Sequence, residues 1–160
     1  DEISRRVLRF TRLMVAQYTN AVVYAPEEGL PRIYAIRGRI EQALINLIKN
    51  ACEALPDREA KVELRVERVE AGTGNAHGVA SHGDAVRFAV CDQGPGIHGT
   101  GIVSPDGTVT AAFRSTRTEG TGLGLSIVNT IVEQHHGTFR FTRDADYASI
   151  AEIIIPTDRT

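Results

Sequence analysis

Residues 41–55 read EQALINLIKNACEAL, and their spacing decides the fold. Ile40, Ala43, Leu44, Leu47, Ile48, Ala51 and Leu55 recur at i, i+3, i+4 and i+7, which predicts a long amphipathic helix beginning near Arg39. The opposite face carries Gln42, Asn46 and Asn50 four residues apart, joined by Lys49 and Glu53. Asparagine is a mediocre helix former, and a merely solvated face favours Glu, Lys or Arg. Two readings of these amides stand open. Their neutral oxygens could coordinate a hard cation such as Mg²⁺, which shares its remaining sites with water and phosphate; alternatively, they cap or bond neighbouring loops.

Outward from that helix, residues 2 to about 18 space Ile3, Val7, Leu8, Phe10, Leu13, Met14 and Val15 at helical intervals and predict an opening amphipathic helix. A short strand is expected at 21–24, then a proline- and glycine-containing turn at 26–31 leading into a second short strand. Residues 61–70 alternate Val62, Leu64 and Val66 with charged neighbours, and 85–91 alternate Val86, Phe88 and Val90. Both read as half-buried strands that pair with each other. Between them, 71–84 is a surface loop; 92–124 is glycine-rich and expected to be a mobile loop. A third helix at 123–136 sets Leu125, Val128, Ile131 and Val132 on one side, with Gly137 as its stop. Strands at 138–143 and 149–155 close the chain around a turn at 143–146. The fold class is therefore α+β, two layers, with a mixed sheet covered on one face by helices.

The 160 residues suit a single domain. Eighteen basic and twenty acidic residues leave a net charge of −2, without the Lys/Arg stripe that nucleic acid requires, so no nucleic-acid partner is expected. No apolar run approaches the roughly 20 residues of a membrane span. The start DEISRRVLRF has no signal-peptide pattern, and a soluble, cytoplasmic domain without membrane contact of its own is expected. Cys52 and Cys91 read as two buried, reduced thiols.

Two glycine-bearing strings flank the predicted loop. AVRFAVCDQGPGI, 85–97, runs from an apolar strand into Asp92, Gly94, Gly96 and Ile97. An ionised Asp accepts hydrogen bonds only, so it suits an exocyclic amine such as that of adenine, with glycines allowing close approach. The same string is equally acceptable as a tight turn. In AAFRSTRTEGTGLGLSIV, 111–128, Gly120, Gly122 and Gly124 stand at a helix start, where unpaired N–H groups and the helix dipole favour phosphate. Arg114 and Arg117 just before them can neutralise phosphate charge. The string fits neither the phosphate-binding loop with its terminal Gly-Lys-Ser/Thr nor the dinucleotide fingerprint.

Together, NLIKNACEAL (46–55), the acid with two glycines, and GTGLGLSIV (120–128) resemble the catalytic, ATP-binding domain of sensor histidine kinases, in the GHKL superfamily that also holds type II topoisomerase, Hsp90 and mismatch-repair ATPases. The resemblance covers about 33–156. It implies a two-layer α/β sandwich of Bergerat type: a mixed, mostly antiparallel sheet, about three helices on one face, and a flexible ATP lid. It implies ATP and Mg²⁺ as cofactors. Asn50 then looks like the magnesium ligand, with Asn46 in the same site. Asp92 looks like the adenine reader, beside Gly94, Gly96 and Ile97. Phe113 and Ser115, Thr116 and Arg117 resemble the lid segment, in which Arg117 reaches the phosphates. Gly120, Thr121, Gly122, Leu123, Gly124 and Leu125 resemble the second glycine box around the triphosphate. Where many members carry Lys three residues after the magnesium Asn, this chain has Glu53, and Lys49 is the candidate substitute. The stretch 98–112, HGTGIVSPDGTVTAA, matches nothing specific.

In hydrolytic relatives a glutamate one turn before the magnesium Asn activates water; here that position is Asn46, and an amide cannot take the proton. This favours phosphoryl transfer to an external acceptor, resting on positioning and charge stabilisation by groups including Asn46 and Arg117. None of His77, His82, His98, His135 and His136 has the phosphoacceptor context, and they read as surface or capping residues. The acceptor is then a histidine-bearing dimerisation domain, with a response regulator downstream. The opening helix, within 1–18, reads equally as a continuation of a dimerisation helix or as a simple packing helix. Alternatives to the kinase reading are a hydrolytic or serine-directed relative and a nucleotide-binding pseudokinase that serves as an interaction module.

Overall fold

The structure is a computed structural model in which residues 1–70, 83–96 and 123–158 are described. In chain order the elements are α1 (Glu2–Val15), β1 (Ala21–Pro26), α2 (Arg37–Ala54), β2 (Lys61–Val69), β3 (Ala85–Asp92), α3 (Leu123–Gln134), β4 (Thr138–Thr142) and β5 (Ser149–Pro156). The strands form one sheet in the order β1-β2-β3-β5-β4. β1 runs parallel to β2, and every other pairing is antiparallel.

Alternation along the strands sorts their side chains to two faces. Val62, Leu64 and Val66 of β2, Val86, Phe88 and Val90 of β3, Ala151, Ile153 and Ile155 of β5 and Phe139 of β4 share one core with Ile40, Leu44, Leu47 and Ile48 of α2, Val128, Ile131 and Val132 of α3, and Val7 and Val15 of α1. Each such side chain contributes roughly 1.5–3 kcal/mol when withdrawn from water, so this layer carries the fold. On α1, Ser4, Val7, Thr11 and Val15 form the buried stripe. Two ion pairs also join α1 to α2: Arg6–Glu41, part-buried at 2.8 Å, and Arg37–Glu2 at 3.2 Å, which is exposed and adds at most about 1 kcal/mol.

Three expectations are corrected. No strand forms after the turn at 26–31: the Glu27 N–H still reaches Val66 O at 2.8 Å, but Pro31 has no N–H to offer a ladder. Leu30, Ile33 and Ala35 rest on the core instead. The opening helix stops at Val15, short of residue 18. β3 is buried on both faces, not one. On its second face Ala85, Ala89 and Cys91 lie in small apolar clusters, while Arg87 lies among charges: it donates to Glu67 and, through Nε, to Glu152, which also accepts from Arg140 Nε. Glu152 is fully buried between the two guanidinium groups, in a row that crosses β2, β3, β5 and β4. Cys52 and Cys91 are both buried and free. Among the described residues, no helix is long and apolar enough to cross a membrane.

Candidate functional site

One hydrogen bond and one close approach show how α2 lies against α3. At one end, the Ile36 N–H, just before the first residue of α2, donates to His135 Nε2 at 3.0 Å. The His135 Nδ1 faces Ile131 O at 2.7 Å, which assigns its proton to Nδ1 and leaves Nε2 free to accept. At the other end, the position of a Cβ on Gly124 lies 3.8 Å from Asn50 Nδ2 and 3.9 Å from its Oδ1. The helices are therefore antiparallel, and the first turn of α3 passes directly beside the Asn50 amide. His135 is thus a capping histidine; His136 is exposed and takes the left-handed φ of 54° at the helix end, while His77, His82 and His98 lie outside the described residues.

Asn46 and Asn50 are half-buried at the margin of the core face, whereas Gln42, Lys49 and Glu53 are exposed, so the amides are not part of a plain solvated stripe. Lys49 Nζ lies 3.7 Å from Glu53 Oε1. An exposed pair of this kind holds the ammonium only weakly, by up to about 1 kcal/mol.

Asp92 ends β3, buried, opposite Val62 on one side and Ser149 on the other. Its Oδ1 accepts the Gly94 N–H at 2.9 Å, so the tight turn open to the sequence is present. A Cβ on Gly94 would stand 2.7 Å from Ala54 O, at the end of α2, and 2.7 Å from Asp92 Oδ1. Only glycine lets the turn lie this close to α2. Gly96 requires its freedom for another reason, a φ of 78°. The Gln93 N–H donates to Lys61 O at 3.3 Å, and the Lys61 N–H to Gln93 Oε1 at 2.9 Å, carrying β2–β3 pairing past the strand end.

Burial pushes the Cys52 thiol up to about 11, helped by the negative charges of Asp92 and then Glu53. Cys52 is consequently a neutral wall beside Asp92 and no thiolate nucleophile at neutral pH. Its proximity to Asp92 was not legible locally, because 40 residues separate the two. Leu123 opens α3, and Leu125 is partly buried against the core. Ile97, Phe113, Arg114, Ser115, Thr116, Arg117, Gly120, Thr121 and Gly122 lie outside the described residues, as does 97–122 of the expected mobile loop; its ends differ from that expectation, Asp92 closing β3 and residues 123 and 124 opening α3. What the structure brings to one end of the α2–α3 pair is an amide, a glycine helix start and, at the end of α2, a buried carboxylate. Such a set offers a metal ligand, anion-binding N–H groups and an acceptor for an amine.

Residues 35–159 match the family described as histidine kinase-, DNA gyrase B-, and HSP90-like ATPase. Sporulation kinase B of Bacillus subtilis is 28% identical over 159 residues, which are 98% of this chain and 33% of that protein. The C4-dicarboxylate transport sensor protein DctS of Rhodobacter capsulatus is 30% identical over 98% of this chain and 22% of its own length. The chain thus spans a third or less of these curated relatives. Among solved structures, the nucleotide-free catalytic domain of histidine kinase ThkA is similar with a TM-score of 0.73 at 28% identity, covering 98% of this chain and 91% of that one. Full-length ShkA in complex with AMPPNP is similar with a TM-score of 0.69 at 25% identity, over 99% of this chain and 30% of that one.

Proposed function

Because the chain belongs to the histidine kinase-, DNA gyrase B-, and HSP90-like ATPase family, we propose that residues 1–160 form one ATP-binding catalytic domain of a two-component sensor histidine kinase, passing the ATP γ-phosphoryl group to a histidine on a separate dimerisation domain. The observation that carries this reading is the approach of the Asn50 amide to Gly124, at the end of α2 where Gly94 and Asp92 also pack. A response regulator is the downstream partner, and the domain works in the cytoplasm.

The residues present fit Mg²⁺. Asn50 offers a neutral oxygen, and in the space beside it towards Gly124 a Cβ would meet nothing nearer than 3.8 Å. Asn50 would hold the ion, with Asn46 lining the same site; bound there, Mg²⁺ supplies neutralisation of charge on the phosphoryl oxygens. This chain's own groups do the rest. Asp92 accepts the purine's exocyclic amine while Gly94 and Gly96 admit the ring. N–H groups at the start of α3, with Gly120 and Gly122, cradle phosphate, and Arg117 and Lys49 add positive charge. Asn46 cannot remove a proton from water, so hydrolysis is disfavoured and the acceptor side supplies the base.

Purified chain, labelled ATP and a histidine-bearing dimerisation domain test this directly. Acid-labile label on the acceptor is the expected result. Acid-stable label or free phosphate would point to a serine-directed or hydrolytic relative, and tight ATP binding without transfer to a pseudokinase. A folded chain that takes up no ATP with Mg²⁺ present would end the proposal.

A further inference from the structure

We infer that Tyr147, on the sheet face away from the helices, is a positioning residue for Asp92 and so helps to set the preference for adenine over guanine. The inference rests on Asp92 being the purine reader. On the helix side the Asp92 carboxylate holds the Gly94 N–H, but the preceding residue, Cys91, faces the opposite side of the sheet. There Cys91 packs with Ala89, Ile150 and the ring of Tyr147, which is buried although it belongs to the connection before β5.

Tyr147 is itself held by a polar circuit. The carboxylate of Glu63, the residue of β2 in register with Cys91, acts on its phenol. Arg65 lies over its ring, 5.1 Å from the centroid, and donates to Glu63 Oε2 and Asp144 Oδ2, each at 3.0 Å. Asp144 closes the circuit, its Oδ1 accepting the N–H groups of Asp146 at 2.9 Å and Tyr147 at 2.8 Å. Burial and then the Glu63 carboxylate raise the phenol above its ordinary range, so it remains a donor throughout neutral pH. Three side chains from two separate parts of the chain, Glu63 and Arg65 of β2 and Asp144, therefore press one ring against the residue preceding Asp92.

Such a brace matters for base choice. A carboxylate accepts from the amine of adenine but meets an acceptor oxygen at the matching place on guanine. Both the attraction and the rejection depend on the acid staying within hydrogen-bond range. If the brace slackens, Asp92 can retreat; ATP loses a bond while GTP loses an opponent. General destabilisation instead lowers the folded fraction equally for both nucleotides, which leaves their ratio unchanged.

The test is the ratio of Mg-ATP to Mg-GTP affinity, by calorimetry on the full 160-residue chain, for Tyr147→Phe, Tyr147→Ala and Asp92→Asn, at a temperature where circular dichroism shows each folded. Tyr147→Ala should cut the preference for ATP about tenfold, a loss on the scale of one hydrogen bond to a charged group. Tyr147→Phe, which keeps the ring and loses the O–H, should fall between it and the wild type. If Tyr147→Ala does not fold, Tyr147→Phe decides alone. A preference present in the wild type, lost in Asp92→Asn and intact in the folded Tyr147 variants overturns this inference and spares the purine-reader reading. A wild type without preference for ATP, or Asp92→Asn retaining it, overturns both.

Discussion

The Asn50 carboxamide stands 3.8 Å from the place a Cβ on Gly124 would occupy, so one methyl group would just touch it. That contact is ordinary packing in the nucleotide-free chain, and Gly124→Ala should fold normally. Its melting should reflect a helix more stable by up to about 1 kcal/mol. The added methyl nevertheless occupies the space proposed for the metal and phosphate. Mg-ATP affinity, measured by calorimetry, is expected to fall about tenfold or more, an increase of at least 1.4 kcal/mol in binding free energy. Unchanged affinity would remove this contact from the site.

Gly94→Ala is expected to harm both fold and binding. Its methyl would lie 2.7 Å from Ala54 O, a backbone atom that cannot swing aside, and 2.7 Å from Asp92 Oδ1. Overpacking of this kind costs roughly 1–3 kcal/mol, readable from urea unfolding. ATP affinity should fall further than the unfolded fraction explains, because Asp92 is displaced.

On the charged face, Glu152→Ala removes the fully buried carboxylate that two buried guanidinium groups share. A loss of about 3–5 kcal/mol is expected in urea unfolding. Glu2→Ala, which removes the exposed partner of Arg37, should cost less than about 1 kcal/mol. A similar loss in the two variants would contradict the burial assigned to Glu152.

Acid should attack the circuit around Tyr147. Partial burial alone would raise the Glu63 and Asp144 carboxyls, but polar partners outweigh it: Arg65 and the Tyr147 phenol at Glu63, and Arg65 with the N–H groups of Tyr147 and Asp146 at Asp144. Both therefore sit below their unfolded values. Their contribution is complete above about pH 4.5 and is lost as pH falls through the lower folded values. The urea midpoint of the wild type should drop on acidification below about pH 4. Arg65→Ala removes a shared cause, and its midpoint should fall less steeply over the same interval.

The legible parts of the fold are those in which one segment carries its own pattern. Residues 40–55 announce α2, and the alternation at 62, 64 and 66 announces β2, because each has one wet and one dry side. β3 misleads because Arg87 reads as a solvent-facing residue; its burial depends on Glu67 and Glu152, which lie 20 and 65 residues away. The strand expected after residue 31 fails because Leu30, Ile33 and Ala35 find apolar partners without any ladder. In the site, Asn50, Asp92 and Gly94 are visible as short strings. The placing of Tyr147 and His135 is not, since each acquires meaning from partners far along the chain.

The row of charges also fixes how the strands may slide. A one-residue slip of β5 along β3 would swing Glu152 into the hydrocarbon layer beneath the helices and turn Ile153 outward, two errors committed together. No neighbouring alignment of the sheet is tolerable, and the pairing of Asp92 with Ser149 follows automatically. The end of β3 that bears the Asp92 carboxylate is thus indexed by an ionic tooth three rungs away on the adjoining strand.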